Sequence, residues 1–110
     1  MNRRDARAIP INLRAMSAVP RVTNNAAAGQ FEVQTEHGVA RLRYVWRGDV
    51  LDLTHTAVPQ EAEGRGIATL LARSALEYAR AQGLKVIASC PFVHAYLRKH
   101  PEYADLIVSS

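Results

Sequence analysis

The stretch Val58-Pro59-Gln60-Glu61-Ala62-Glu63-Gly64-Arg65-Gly66-Ile67-Ala68 decides how this chain is read. Before it lies a β-branched-rich run, and after it a helical period begins. Pro59 ends the strand, because a prolyl nitrogen cannot donate to a sheet ladder. Gly64 and Gly66 bracket Arg65 immediately before the helix. Glycine takes positive φ without steric cost and lets a backbone approach a bound group closely. The first amides of a helix have no intrahelical partners and carry a partial positive charge. Strand, glycine-bracketed turn and helix N-terminus together predict a seat for a pyrophosphate, with Arg65 as a mobile cation. The seat is neither a Rossmann fingerprint, since Thr69 stands where the third glycine belongs, nor a P-loop, since no Gly-Lys-Ser/Thr follows. Glu61 and Glu63 must point to solvent for it to accept an anion.

The period on the C-terminal side predicts a helix from about Gly66 to Gln82. Ile67, Leu70, Leu71, Ser74, Ala75, Tyr78 and Ala79 form its apolar stripe, and Arg73, Glu77 and Arg80 lie on the outer face. Gly83 is a natural stop. Leu84–Ala88 reads as a short buried strand. Pro91 suits a first helical position and opens a second helix that runs to about Lys99. His100-Pro101 ends that helix, and Leu106-Ile107-Val108 is expected to be a last short strand.

On the N-terminal side, Phe31, Val33 and Thr35 alternate with polar residues, and His37-Gly38 turns the chain. Val39–Trp46 sets Ala40, Leu42, Tyr44 and Trp46 against a mostly charged face. Arg47-Gly48-Asp49 turns again. Val50–Val58 is the third strand, with Leu51, Leu53, His55 and Ala57 expected on one face. Thr23–Gly29 reads as a loop. The crossover from Val50–Val58 to Leu84–Ala88 is long enough to make those two strands parallel. The expected fold is α+β with an α/β-type mixed sheet: three antiparallel strands followed by strand-helix-strand-helix. Residues 1–24 are expected to be a basic, poorly ordered extension, and residues 25–110 the folded domain.

Glu61-Ala62-Glu63-Gly64-Arg65-Gly66 resembles the acetyl-CoA motif of the GCN5-related N-acetyltransferases, commonly written Gln/Arg-x-x-Gly-x-Gly/Ala, with Glu61 departing from the first position. His55-Thr56-Ala57-Val58-Pro59, Gly83-Leu84-Lys85-Val86, Cys90-Pro91-Phe92-Val93 and His100-Pro101-Glu102-Tyr103 extend the resemblance over about residues 30–108, toward the minimal single-domain subgroup. The resemblance implies that the strands Val50–Val58 and Leu84–Ala88 splay apart, with pantetheine between them and acetyl-CoA as cofactor. Carried onto this chain, it gives Thr56, Ala57, Val58, Glu63, Gly64, Arg65, Gly66, Ile67, Ala68, Cys90 and Phe92 as cofactor-binding residues. It implies an oxyanion donor among the backbone amides near Thr54–Thr56. Cys90 is either a thiolate near the CoA sulfur, or a transient acyl acceptor, or a small buried hydrophobe. Tyr96 is either the acid that protonates the departing thiolate or a packed aromatic. His55 reads as a hydrogen-bonded core or rim histidine rather than a general base. The acceptor is an amine, with a protein lysine or other large acceptor fitting the lack of helices between the first strands.

Composition limits the alternatives. A chain of 110 residues is one domain, and a single cysteine allows neither an internal disulfide nor a cysteine-based zinc cage. No metal site is expected, and the free thiol points to a reducing compartment, the cytoplasm. No run of about 18 apolar residues suggests a membrane span. The net charge of +4 belongs to residues 1–21, where five arginines oppose Asp5; the other nine Lys/Arg and nine Asp/Glu cancel. A basic tail could touch nucleic acid, but the neutral body argues for a solvated extension. A rival to the enzyme is a CoA-binding module without turnover.

Overall fold

The structure is a computed structural model and describes residues 21–108. The alternating runs pair as an antiparallel meander of β2 (Gln30–Thr35), β3 (Gly38–Arg47) and β4 (Val50–Ala57), joined by turns at Gly38 and Gly48. β1 (Val22–Asn25) adds to the outer edge, antiparallel to β2. Helix α1 (Ile67–Gln82) then crosses over, and β5 (Lys85–Ala88) returns parallel to β4. Helix α2 (Pro91–Lys99) and a 3-10 segment, Pro101–Leu106, complete the described chain. The five strands lie in sequence order in one mixed sheet. The expected antiparallel strands and strand-helix-strand-helix order are present, with one edge strand more.

That extra strand corrects the reading of Thr23–Gly29 as a loop. Thr23, Asn24 and Asn25 carry no apolar alternation, but an edge strand needs only backbone pairing on one side. The Tyr44 hydroxyl donates to Asn24 Oδ1 at 2.7 Å and fixes it from below. Residues 22–24 of the expected extension therefore belong to the sheet and Arg21 leads into it; residues 1–20 lie outside the described residues. At the other end, Leu106–Val108 is not a strand. A single parallel bridge joins Ile107 to Val86, and the Val108 amide donates to the Val86 carbonyl at 2.9 Å. Two prolines, Pro91 and Pro101, punctuate this region, and the second starts a 3-10 turn instead of an extended run.

A register shift in the β3–β4 ladder, at Arg43/Tyr44, overturns the expected facing of β4. Up to that point Leu51 lies opposite Trp46 and Leu53 opposite Tyr44, but beyond it Thr56 lies opposite Leu42 and His55 opposite Arg43. A bulge inserts one residue and reverses the alternation. Thr56, and not His55 or Ala57, therefore shares the face of Leu53 and Leu42. His55 is exposed on the other face.

The inner face carries Phe31, Val33, Ala40, Leu42, Leu51, Leu53 and Val86, all buried. Helix α1 covers it with Ile67, Leu71, Ala72, Ala75, Leu76 and Ala79. The stripe is rotated from the expected one: Leu76 and Ala72 are buried, while Leu70, Ser74 and Tyr78 are only partly so. Alternating alanines let the helix sit close to the sheet, and Tyr78 fills the edge, its ring 5.5 Å from that of Phe31. Gly83 ends α1 in the left-handed region at φ 69°, where its amide and that of Leu84 satisfy the last helical carbonyls. The His-Pro-Glu-Tyr block straps onto the same helix. The Tyr103 hydroxyl donates to Glu77, and Arg80 binds Asp105 and the Glu102 carbonyl. Glu77 thus has a phenol as its partner instead of the arginines its spacing suggested.

Leu76→Ala should lower stability by about 2–5 kcal/mol in urea unfolding, because it empties a fully buried site; a loss under about 0.5 kcal/mol would contradict this placement. Burial and the neighbouring Glu77 carboxylate push the Tyr103 phenol from 10.0 up to about 12. The unfolded chain ionises first, so the stability Tyr103 contributes is intact below its unfolded value and falls as pH rises toward the folded one. Tyr103→Phe should flatten that alkaline loss in thermal melts; an unchanged alkaline slope would refute the strap.

Candidate functional site

The parallel ladder between β4 and β5 covers only Val50↔Lys85 to Leu53↔Ala88. Its last rung is the Cys90 amide donating to the Leu53 carbonyl at 2.8 Å. β5 stops at Ala88 while β4 runs on to Ala57, so the two strands part. The bulge turns Thr56 toward the opening, and Val58 follows it. A cavity of about 360 Å³ occupies this gap. Thr56 and Val58 form its strand wall, Phe92 of α2 faces them, and the turn and first helical residues close the end with Ala62, Glu63, Gly64, Gly66, Ile67, Ala68 and Thr69.

The turn is built as its glycines require. Gly64 and Gly66 have φ of 83° and 78°, values that L side chains rarely adopt. A Cβ at either would meet nothing within 4 Å, so the glycines serve conformation and leave the backbone bare. Gly66 caps α1 with no side-chain cap hydrogen bond. Among the described residues, no loop carbonyl or side chain accepts from the amides of Gly64, Arg65, Gly66 or Ile67. Unsatisfied amides at the positive end of a 16-residue helix, facing a cavity, suit an anion. Glu61 and Glu63 are exposed, as the seat requires, with Glu63 on the cavity rim.

Cys90 is the N-cap residue of α2 and is buried at 2% exposure. Its Sγ lies 3.2 Å from the Thr56 Oγ1, across the parted strands. Thr56 thus links the thiol to the cavity. Of the expected site residues, Thr56, Val58, Glu63, Gly64, Gly66, Ile67, Ala68 and Phe92 line the cavity, and Cys90 touches one of them. Arg65 is exposed and does not line it; Ala57 lies on the opposite sheet face because of the bulge. Tyr96 faces a second cavity, of about 200 Å³, where its ring stacks on His100 at 4.1 Å between centroids. Burial holds the Tyr96 phenol above its usual range, only partly offset by Arg73.

Three residues escaped the sequence reading, two of them in the cavity. Ala62 and Thr69 line the cavity; Ala62 is buried by a 3-10 turn, and Thr69 sits one helical turn after Gly66, a spacing that could have named it. The third is Asp52, 1% exposed, on the sheet face away from α1. Arg47 Nε donates to its Oδ2 at 2.7 Å, while Oδ1 has no hydrogen-bond partner among the described residues. Burial pushes this carboxyl up, but nearby Ser89 and the Arg47 guanidinium outweigh it and hold the group below its ordinary value. Alternation put Asp52 on the face opposite Leu51 and Leu53, and nothing in the sequence marked it as buried there.

The sequence pattern of GCN5-related N-acetyl-transferases matches residues 30–106. This chain belongs to the GCN5-related N-acetyltransferase family. It is a single-domain member, and family membership supports acyl transfer as its general chemistry. It is similar to Protein NATD1 of Homo sapiens, 33% identical over 99 residues that cover 87% of this chain and 88% of that protein. Protein NATD1 of Danio rerio is 32% identical over 94% of this chain and 98% of its own length. The NMR solution structure of a GCN5-like protein from Staphylococcus aureus superposes with a TM-score of 0.64 at 26% identity, covering 82% of this chain and 89% of that one. The mixed sheet with parted β4 and β5 is thus the fold of this N-acetyltransferase family.

Gly66→Ala should cost about 1 kcal/mol in denaturant unfolding, from left-handed strain alone, since the space for a methyl is open. An unchanged midpoint would show that the turn can relax out of positive φ.

Proposed function

We propose that this protein transfers an acyl group from acetyl-CoA to an amine. The observation that carries the reading is the cluster of unsatisfied amides at the α1 N-terminus, opening on a cavity that runs to Thr56, whose hydroxyl meets the Cys90 thiol behind it. Acetyl-CoA supplies an activated thioester. The residues around it fit its parts. The Gly64–Ile67 amides hold the pyrophosphate, and Arg65 stands by as a mobile cation. Thr56, Val58 and Phe92 flank the pantetheine arm and keep water from it, while the parted backbone after Leu53 offers amides to a developing oxyanion. Cys90 lies buried behind Thr56, so its thiol reaches the cavity only through the Thr56 hydroxyl. Tyr96 sits in the neighbouring cavity, a placement that favours packing over a role as the acid for the thiolate. A lone free thiol fits a reducing compartment such as the cytoplasm.

A second reading, a CoA-binding module without turnover, draws on the tight turns between β2, β3 and β4. Among the described residues no helix lies between these strands to clasp an acceptor. Release of free CoA thiol on adding candidate amines separates the two. Lysine-bearing peptides and small polyamines are the acceptors to try, since an open face suits large ones.

Gly66→Asp should abolish acetyl-CoA binding in calorimetry by placing a carboxylate on the phosphate seat, and unchanged affinity would refute the site. Cys90→Ala should cut turnover while leaving acetyl-CoA affinity within about twofold, a difference of about 0.4 kcal/mol. Equal rates for mutant and parent would return Cys90 to a packing role.

A further inference from the structure

The charge of β3 is laid out on one side. Arg41, Arg43, Val45 and Arg47 alternate with the inward-facing Ala40, Leu42, Tyr44 and Trp46, so they share the sheet face turned away from α1. Across the ladder, Arg41 faces Ala57 and Arg43 faces His55. Arg43 and His55 are exposed, and Arg41 is half-buried. We propose that this face docks an acidic, extended segment of a protein acceptor. Arg41 and Arg43 hold its carboxylates, and the gap between β4 and β5 admits its lysine. The proposal rests on the acyl-transfer reading above and names the acceptor class.

Ion pairing leaves these two arginines for a partner. Arg47 is taken by Asp52, its Nε donating to Oδ2 at 2.7 Å. Among the described residues, neither Arg41 nor Arg43 makes an ion pair. Glu32 lies opposite Arg41, but its Oε2 accepts from the side-chain amides of Asn25 and Gln30. Arg43 lies opposite Gln30, which is neutral. Residues 1–20 hold four arginines against Asp5, so that segment brings more positive charge and no balancing acid. A cationic face of this kind is complemented by an acidic partner.

Spacing and position fit an extended peptide. Residues two apart on a strand have Cα atoms about 7 Å apart, and the same interval separates alternate residues of the peptide. Acidic side chains at alternate positions therefore meet both guanidiniums, each a planar fork suited to a carboxylate. Val45, 47% exposed, continues the line with an apolar contact. Arg43 and His55 lie just past Leu53, where the β4–β5 ladder has ended. A lysine beside the acidic residues is thus delivered to the gap that leads to Thr56. A bare polyamine is repelled by the same arginines. Nucleic acid is the other common polyanion, but its bases need aromatic platforms. The exposed aromatic of β3, Trp46, stands on the other face, edge-on to Tyr44. In the transfer, the lysine ammonium loses one proton to solvent and its nitrogen bonds the acetyl carbon. The carbon–sulfur bond breaks, and the departing sulfur takes the second amine proton.

The test uses the full chain and three labelled peptides that differ only around one lysine, with glutamates, glutamines or arginines there. Fluorescence anisotropy reads docking, and free CoA thiol reads transfer. The glutamate peptide should bind about tenfold tighter than the glutamine peptide, the size of a few exposed ion pairs. The arginine peptide should bind more weakly still, and salt should narrow the differences. Arg41→Glu combined with Arg43→Glu should invert the order, whereas Arg41→Lys with Arg43→Lys should keep most of it. Both double variants should bind acetyl-CoA as the parent does. Thiol release should follow the docking order through KM, with kcat nearly constant. Equal binding of the three peptides, or an order that survives the charge reversal, overturns the proposal. A short single-stranded RNA that binds the parent more tightly than the glutamate peptide and displaces it also overturns the proposal, in favour of nucleic acid. Docking in the expected order with no thiol release from any peptide leaves the surface standing and overturns the acyl-transfer reading beneath it.

Discussion

The structure turns on the last rung between β4 and β5, the hydrogen bond from the Cys90 amide to the Leu53 carbonyl. Up to that rung the strands form an ordinary parallel pair over a buried leucine-rich core. Beyond it the chain of β5 turns into α2, and β4 continues with backbone groups on one side released from the ladder. Buried backbone groups without partners are costly, so a gap of this kind persists only where the surroundings enforce it or a ligand fills it. Here α1 and α2 enforce it. Helix α1 packs over the meander through its alanines and leucines, and α2 leans away with Val93 and Tyr96 buried beneath it.

The bulge in β4 makes the gap useful. Without it, the alternation would carry His55 and Ala57 to the helix side and leave Thr56 on the open face. With it, Thr56 reaches both the cavity and the Cys90 thiol. One inserted residue thus joins the sheet to the chemistry. The same bulge leaves His55 on the outer face of the sheet. The cavity and the outer face of the sheet therefore meet only where the strands part.

Much of this was legible in the residues. The turn from Pro59 to Ile67 announced itself through proline, two glycines and the helical period that follows, and the structure places those glycines at positive φ. The parallel return of Lys85–Ala88 followed from crossover length. What the sequence hid depended on tertiary geometry. Val22–Asn25 joins the sheet through backbone pairing that its polar side chains do not signal. The bulge at Arg43/Tyr44 has no glycine or proline to mark it, so strict alternation misplaced every residue after Leu53. The helix stripe was rotated because α1 carries more apolar residues than its inner face can take, and only packing decides that Leu76 lies fully inward and Leu70 does not. Tyr96, which the resemblance left as either an acid or a packed aromatic, has its ring stacked on His100.

The central claim is that an anion sits on the amides where β4 hands over to α1. A proton–nitrogen correlation NMR titration with acetyl-CoA tests it at the level of single backbone groups. The account predicts that the largest shifts fall on Gly64, Gly66 and Ile67, with smaller ones at Thr56 and Cys90 and little change in the β1–β2 hairpin. Shifts concentrated on Arg41–Arg47, or none at Gly64 and Gly66 at saturation, would contradict it.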